Sequence, residues 1–119
     1  MLKLLYSSGG NLVCFQASGM LTEADYCDVF EVAMATVLEA HETFRFYADL
    51  SALEGLDETS QWDNGAILAE NRDKCEKAAV VGGPSWAGLA LMLRDSLPEG
   101  SYEFFVDGRH ADAIAWVQS

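Results

Sequence analysis

The residues best placed to do chemistry lie in the stretch Asp49-Leu50-Ser51-Ala52-Leu53-Glu54-Gly55-Leu56-Asp57-Glu58-Thr59, where an apolar run stops at an acidic residue and a turn is expected to lead into a helix. Two carboxylates in one loop can divide acid and base roles if their surroundings separate their pKa values. No nucleophile or metal ligand accompanies Asp49 and Asp57, so a helix cap is the simpler role for Asp57. Gly82-Gly83 ahead of Pro84 can offer backbone N–H groups to an anion at a helix start. The same residues also describe a tight turn, and they lack the glycine fingerprint of a nucleotide site, so the turn is preferred. Asp49, Asp57, Gly82 and Gly83, with Asp107-Gly108, are expected at one sheet edge, where α/β folds keep their ligand crevices.

His41 and His110 read as helix-end residues. No Ser or Cys is placed in sequence to make a nucleophile–base pair with either, so no catalytic residue is expected. Cys14, Cys27 and Cys75 are odd in number, without a Cys-x-x-Cys pair or histidines at metal spacing. That argues against a disulfide framework and a zinc site, and for thiols that act as small hydrophobes in a reducing cytoplasm. No cofactor or metal is expected.

The 119 residues suit one domain, 1–119, with 7 Lys and Arg against 19 Asp and Glu for a net charge of −12. Such a chain repels phosphate backbones and anionic membranes, so nucleic acid is not an expected partner. Met1-Leu2-Lys3-Leu4-Leu5-Tyr6 is too short for the apolar core of a signal peptide, and no run reaches membrane-spanning length.

These residues need elements to hold them. Residues 2–6 and 12–18 read as a hairpin joined by Ser7-Ser8-Gly9-Gly10-Asn11, with Val13, Phe15 and Ala17 on the more apolar face. Gly19 is expected to end the second strand, and Thr22 with Asp25 to open a helix as a capping box. Along that helix Tyr26, Val29, Phe30, Ala33 and Val37 form the inner stripe. Residues 44–50 form a central strand, 58–73 a second helix with Trp62 inward, and Ala78-Ala79-Val80-Val81 a strand covered on both faces. A third helix is expected over 84–97, a last strand over 102–106 and a last helix over 109–117. The order ββαβαβαβα predicts an α/β domain with a mixed five-stranded sheet and about four helices.

Several segments together resemble the SpoIIAA-like family, small bacterial proteins related in fold to STAS domains. They are Ser18-Gly19-Met20-Leu21-Thr22-Glu23-Ala24-Asp25-Tyr26, the Asp49-Leu50 strand end, Leu53-Glu54-Gly55-Leu56, Trp62, and Cys75-Glu76-Lys77-Ala78-Ala79-Val80-Val81-Gly82 followed by Trp86. The resemblance implies a STAS-like or CRAL-TRIO-like mixed sheet, no established enzymatic activity for most members, and a lipid or other apolar ligand as the usual guess. It also places the STAS phosphate acceptor at Thr59, with Ser60 beside it and Glu58 where a serine is usual. Both hydroxyls can instead satisfy free N–H groups at a helix start, and a phosphoswitch is the alternative.

The third helix carries the functional expectation. Trp86, Leu89, Ala90 and Leu93 make one stripe, and Leu91 and Met92 leave little of the circumference polar. Apolar surface beyond what one sheet covers marks an interface or the wall of a ligand pocket. Trp62, Trp86, Leu89, Leu91 and Met92 are thus the expected contacts of an apolar small molecule, a protein partner or a second copy in a homodimer.

Overall fold

A central strand of thirteen residues organises the molecule. The computed structural model describes residues 1–5, 10–56, 70–83, 86, 95, 100–106 and 108–119. Five strands, β1 (Leu2–Leu4), β2 (Leu12–Leu21), β3 (Phe44–Leu56), β4 (Cys75–Gly82) and β5 (Tyr102–Val106), lie side by side in chain order. β1 pairs antiparallel with β2 as a hairpin partner, and every later pair is parallel. The sheet is therefore mixed, as expected.

Alternation sorts the strand residues onto two faces. Val13, Phe15 and Ala17 of β2 join Phe44, Phe46, Ala48, Ala78 and Val80 in the larger core, while Leu12, Cys14, Tyr47, Ala79 and Val81 face the other way. The four residues Ala78 to Val81 are at most 1 % exposed, so β4 is covered on both faces, which is what its unbroken apolar run implies.

The larger face is covered by α1, residues 23–40, which is α-helical over Glu23–Asp25, π-helical over Tyr26–Phe30 and α-helical again over Glu31–Ala40. Its start is the capping box: the Asp25 N–H donates to the Thr22 hydroxyl at 3.2 Å, and the Thr22 N–H donates to the Asp25 carboxylate at 3.0 Å. Two features depart from the sequence reading. β2 does not stop at Gly19 but runs on to Leu21, because Gly19 takes φ +60° and the strand passes through it as an irregularity. The wide π turn, closed by the Glu31 N–H on the Tyr26 carbonyl, then shifts the helical phase. Tyr26, Phe30, Met34 and Val37 are buried as a result, while Val29 and Ala33 are pushed to the flank of the stripe.

The second face is covered by α2 (His110–Gln118), whose Ala113 and Val117 are fully buried against it. Its C-terminal carbonyls are held by two cations from the sheet. Arg45 Nη1 donates to the Val117 carbonyl at 2.9 Å, and Lys77 Nζ donates to the Trp116 carbonyl at 3.1 Å while lying 5.2 Å from the centre of the Trp116 ring. Glu76 steadies Arg45 at 3.4 Å and accepts from Asn11 Nδ2 at 2.9 Å.

α1 and α2 are the two helices whose spans fall among the described residues, against about four expected, with a 3-10 turn at Arg72–Lys74. The expected helices over 58–73 and 84–97 fall mostly outside the described residues; within them, Glu70 and Asp95 are helical and Trp86 sits in a 3-10 turn. No helix among the described residues is long and apolar enough to cross a membrane.

The capping box yields an acid-side prediction. Burial alone pushes the Asp25 carboxyl up, but hydrogen bonds from the Thr22 N–H and hydroxyl and the Leu2 N–H outweigh it and hold the group below its ordinary 3.8. A depressed folded pKa means stability that is full above the unfolded value and lost as pH falls through the folded one. Thr22→Ala is expected to cost about 1 kcal/mol at pH 7 in urea unfolding. Asp25→Asn should flatten the decline in stability below about pH 4, where Asp is protonated in the unfolded chain.

Candidate functional site

The site is built by two irregularities in β3. Gln16 and Ser18 of β2 stand opposite Asp49 and Ala52, so two steps on β2 match three on β3; Gly19 and Met20 then stand opposite Leu53 and Gly55. Each offset places an extra residue in β3, the mark of a bulge, which re-aims the side chains beyond it. A regular strand would send Leu50 and Leu53 to opposite faces. Here both are buried in the larger core, and Ser51 and Ala52 are left exposed. The expectation that the strand ends at Leu50 and turns is thereby corrected: the chain stays extended to Leu56 because bulges absorb the mismatch.

Asp49 precedes the first bulge on the α2 face, and its side chain is 10 % exposed. One carboxylate oxygen, Oδ1, accepts two hydrogen bonds and has a third polar neighbour. The Ser51 N–H donates to it at 2.9 Å, the Ser51 hydroxyl at 2.5 Å, and His110 Nε2 lies 3.2 Å away. The same Nε2 is 3.4 Å from Ser51 Oγ. His110 is the first residue of α2, set there by the turn through Gly108 at φ +91°. The carboxylate thus joins the bulged strand to the helix that covers its face. Tyr47, two residues earlier on the same face, has its phenol pushed up to about 12 by burial, with the Asp49 charge adding to it.

The geometry differs from a hydrolase triad, in which the two imidazole nitrogens serve the serine and the carboxylate separately. Here a single nitrogen faces both, and the carboxylate itself is the nearest proton acceptor to the serine. Sequence reasoning missed this meeting of Ser51 and His110, 59 positions apart. A local signal existed in Asp49-x-Ser51, a spacing at which a carboxylate accepts from the backbone two residues on. Nothing in the sequence indicated that the helix after β5 would bring His110 there.

Of the other expected residues, Gly82 lies beneath Leu50 and Trp86, where a Cβ would stand 3.4 Å from Leu50 Cβ and 3.5 Å from Trp86 Cδ1. The Trp86 N–H donates to the Gly83 carbonyl at 3.1 Å, a tight-turn contact. Trp86 is partly buried against the larger core. Asp57, Thr59, Ser60, Trp62, Leu89, Leu91 and Met92 lie outside the described residues, and with them the interface expected for a homodimer. Cys14 and Cys75 are buried, and burial with the nearby Glu76 pushes the Cys75 thiol up to about 12. Burial and three acidic neighbours, Glu31, Glu23 and Asp28, also raise Cys27. Both thiols are thus held in the poorly nucleophilic form. Among the described residues no three His, Cys, Asp or Glu side chains are grouped to hold a metal ion.

On the opposite side of the sheet an open groove of about 440 Å³ runs between the β1–β2 hairpin and α1. Leu4, Val13, Val29, Val32, Ala33, Val37 and Ala40 line it. Asp28 near the start of α1 and His41 just past its end are the ionisable groups in the wall. The Thr36 hydroxyl, also in the wall, is engaged with the Val32 carbonyl at 2.8 Å. Val32 and Leu4 are 56 % and 48 % exposed, more than large aliphatic side chains beside a core need to be.

The SpoIIAA-like family model matches residues 12–118. Among solved structures, the chain is similar to an uncharacterized protein of the DUF3478 family with a SpoIIAA-like fold from Shewanella loihica PV-4, at 22 % identity and a TM-score of 0.71. The match covers 98 % of this chain and 92 % of that one, and the likeness is one of fold. No curated protein matches.

The load on Asp49 Oδ1 can be measured. Asp49→Ala leaves the Ser51 N–H and hydroxyl without their acceptor and is expected to lower stability by about 1–3 kcal/mol in urea unfolding. Asp49→Asn, which keeps an acceptor oxygen, should lose less.

Proposed function

The chain belongs to the SpoIIAA-like family, and from that premise we propose that it is a non-enzymatic binding domain whose ligand is an apolar small molecule held between the β1–β2 hairpin and α1. The observation that carries the reading is the groove itself. Its volume of about 440 Å³ falls within the roughly 300–1,000 Å³ of small-molecule sites, and its aliphatic wall with few polar groups is the composition such sites favour.

The ligand is small rather than macromolecular on this reading, because a stable protein interface needs on the order of 800 Å² from each partner. Charge narrows the class further. With a net charge of −12 and Asp28 in the wall, the groove favours an uncharged molecule over a carboxylate or phosphate. A second apolar contact through Trp62, Trp86, Leu89, Leu91 and Met92, expected from the sequence, is proposed separately from the groove, whose wall does not include Trp86.

A fluorescent apolar probe, N-phenyl-1-naphthylamine, tests the groove directly. Its emission should rise on binding and fall when dodecanol competes. Val32→Glu changes an exposed helix position and should leave the unfolding curve in place, yet weaken probe binding roughly tenfold or more by setting a charge against apolar surface. Equal binding by Val32→Glu, or no binding by the parent protein, would remove the groove from consideration.

A further inference from the structure

We propose that Ser51 is an acyl-acceptor site: its hydroxyl, held by Asp49, takes an acyl group from an activated donor such as a thioester or aryl ester. The site lies across the sheet from the apolar groove and does not depend on it. Three observations combine. Ser51 is exposed, since the bulge between Asp49 and Ala52 turns it outward while Leu50 and Leu53 are buried. Its proton already points to a base, because Oγ donates to Asp49 Oδ1 at 2.5 Å. That base is fixed from a separate element, His110 on α2 lying 3.2 Å from the same oxygen. A nucleophile within hydrogen-bond reach of a base that a third group orients is the general arrangement of an activated hydroxyl.

The transfer balances without another reactant. Ser51 Oγ attacks the carbonyl carbon and forms the new C–O bond as its proton passes to Asp49 Oδ1. The tetrahedral species collapses by breaking the bond to the thiol or phenol, which leaves with the electron pair and recovers the proton. Ser51 ends as an ester, and the donor as free thiol or phenol. Charge selects acyl over phosphoryl transfer: a phosphate on Ser51 would set a dianion against the Asp49 carboxylate in a chain of net charge −12, whereas an acyl group adds no charge. Each chain accepts one group, so this is a modification site and adds no turnover to the binding domain.

The probe is p-nitrophenyl acetate with the full chain, read by release of p-nitrophenol, intact mass and peptide mapping. One acetyl group on Ser51 is expected, arriving roughly 10²-fold faster than on the same serine in Asp49→Asn, the range a positioned base supplies. Ser51→Ala keeps the backbone N–H bond to Asp49 at an exposed position, so it should fold and lose the fast phase. Asp49→Asn should slow acetylation of Ser51 to the background of the lysines, and His110→Ala should slow it by a smaller factor. Acetylation spread over lysines alone, an unchanged fast phase in Ser51→Ala, or repeated turnover at Ser51 would each overturn the proposal. If Asp49→Asn does not fold, mapping of the parent protein with Ser51→Ala as control still decides it.

Discussion

The register of β3 against β2 is the constraint on which both faces of the molecule depend. Thirteen residues of β3 must pair with ten of β2 while delivering Leu50 and Leu53 to one core and Tyr47 and Asp49 to the other side. A strand with strict period two cannot do this, because one residue of slip moves every later side chain to the wrong face. The extra residues opposite Gln16–Ser18 and Gly19–Met20 absorb the mismatch locally. Without the first, either Leu53 would face solvent or Ser51 would be driven into the larger core with a hydroxyl to satisfy. The bulge is thus at once a packing solution and the device that sets Ser51 beside Asp49.

The helix that completes this arrangement is fixed at both ends by the sheet. At its C-terminus Arg45 and Lys77 supply donors and positive charge to carbonyls that an isolated helix leaves unsatisfied. At its N-terminus His110 meets the Asp49 carboxylate. Between them Ala113 and Val117 are small enough to lie directly on Cys14, Tyr47, Ala79 and Val81. Two of the seven Lys and Arg in the chain are therefore committed to holding one helix.

Much of this fold was legible in the residues. The alternation of β2, the capping box at Thr22 and Asp25, the doubly covered β4 and the last helix all follow from local rules that tertiary contacts leave intact. The failures share one cause. Gly19, and the run Ser51-Ala52-Leu53-Glu54-Gly55, read as breakers because glycine and short polar residues usually end strands. In β2 and β3 they serve instead as bulge positions, and only the neighbouring strand decides between the two outcomes. The π turn hid Met34 in the same way, since periodicity assumes a constant pitch and one widened turn shifts everything after it. The pairing of Ser51 with His110 lay beyond sequence reasoning altogether, because it depends on where α2 begins after four parallel strands have been laid down.

The groove and the Asp49–Ser51–His110 contacts are separated by the sheet, and the material between them is stiff. Phe15 and Cys14, neighbours in β2, are 1 % and 0 % exposed and point to opposite faces, so the wall dividing the two sites is one backbone thick and closely packed on both sides. Energetic coupling across such a wall requires an element with two discrete arrangements. The widened turn of α1 lies on the groove side, and the Asp49 contacts lie on the other, with β2 and β3 paired between them over nine residue positions. Moving either strand would break ladder bonds along its length. A ligand seated against α1 therefore has no low-cost route to alter the hydrogen bonds at Ser51, and the two features are best understood as independent occupants of a single rigid frame.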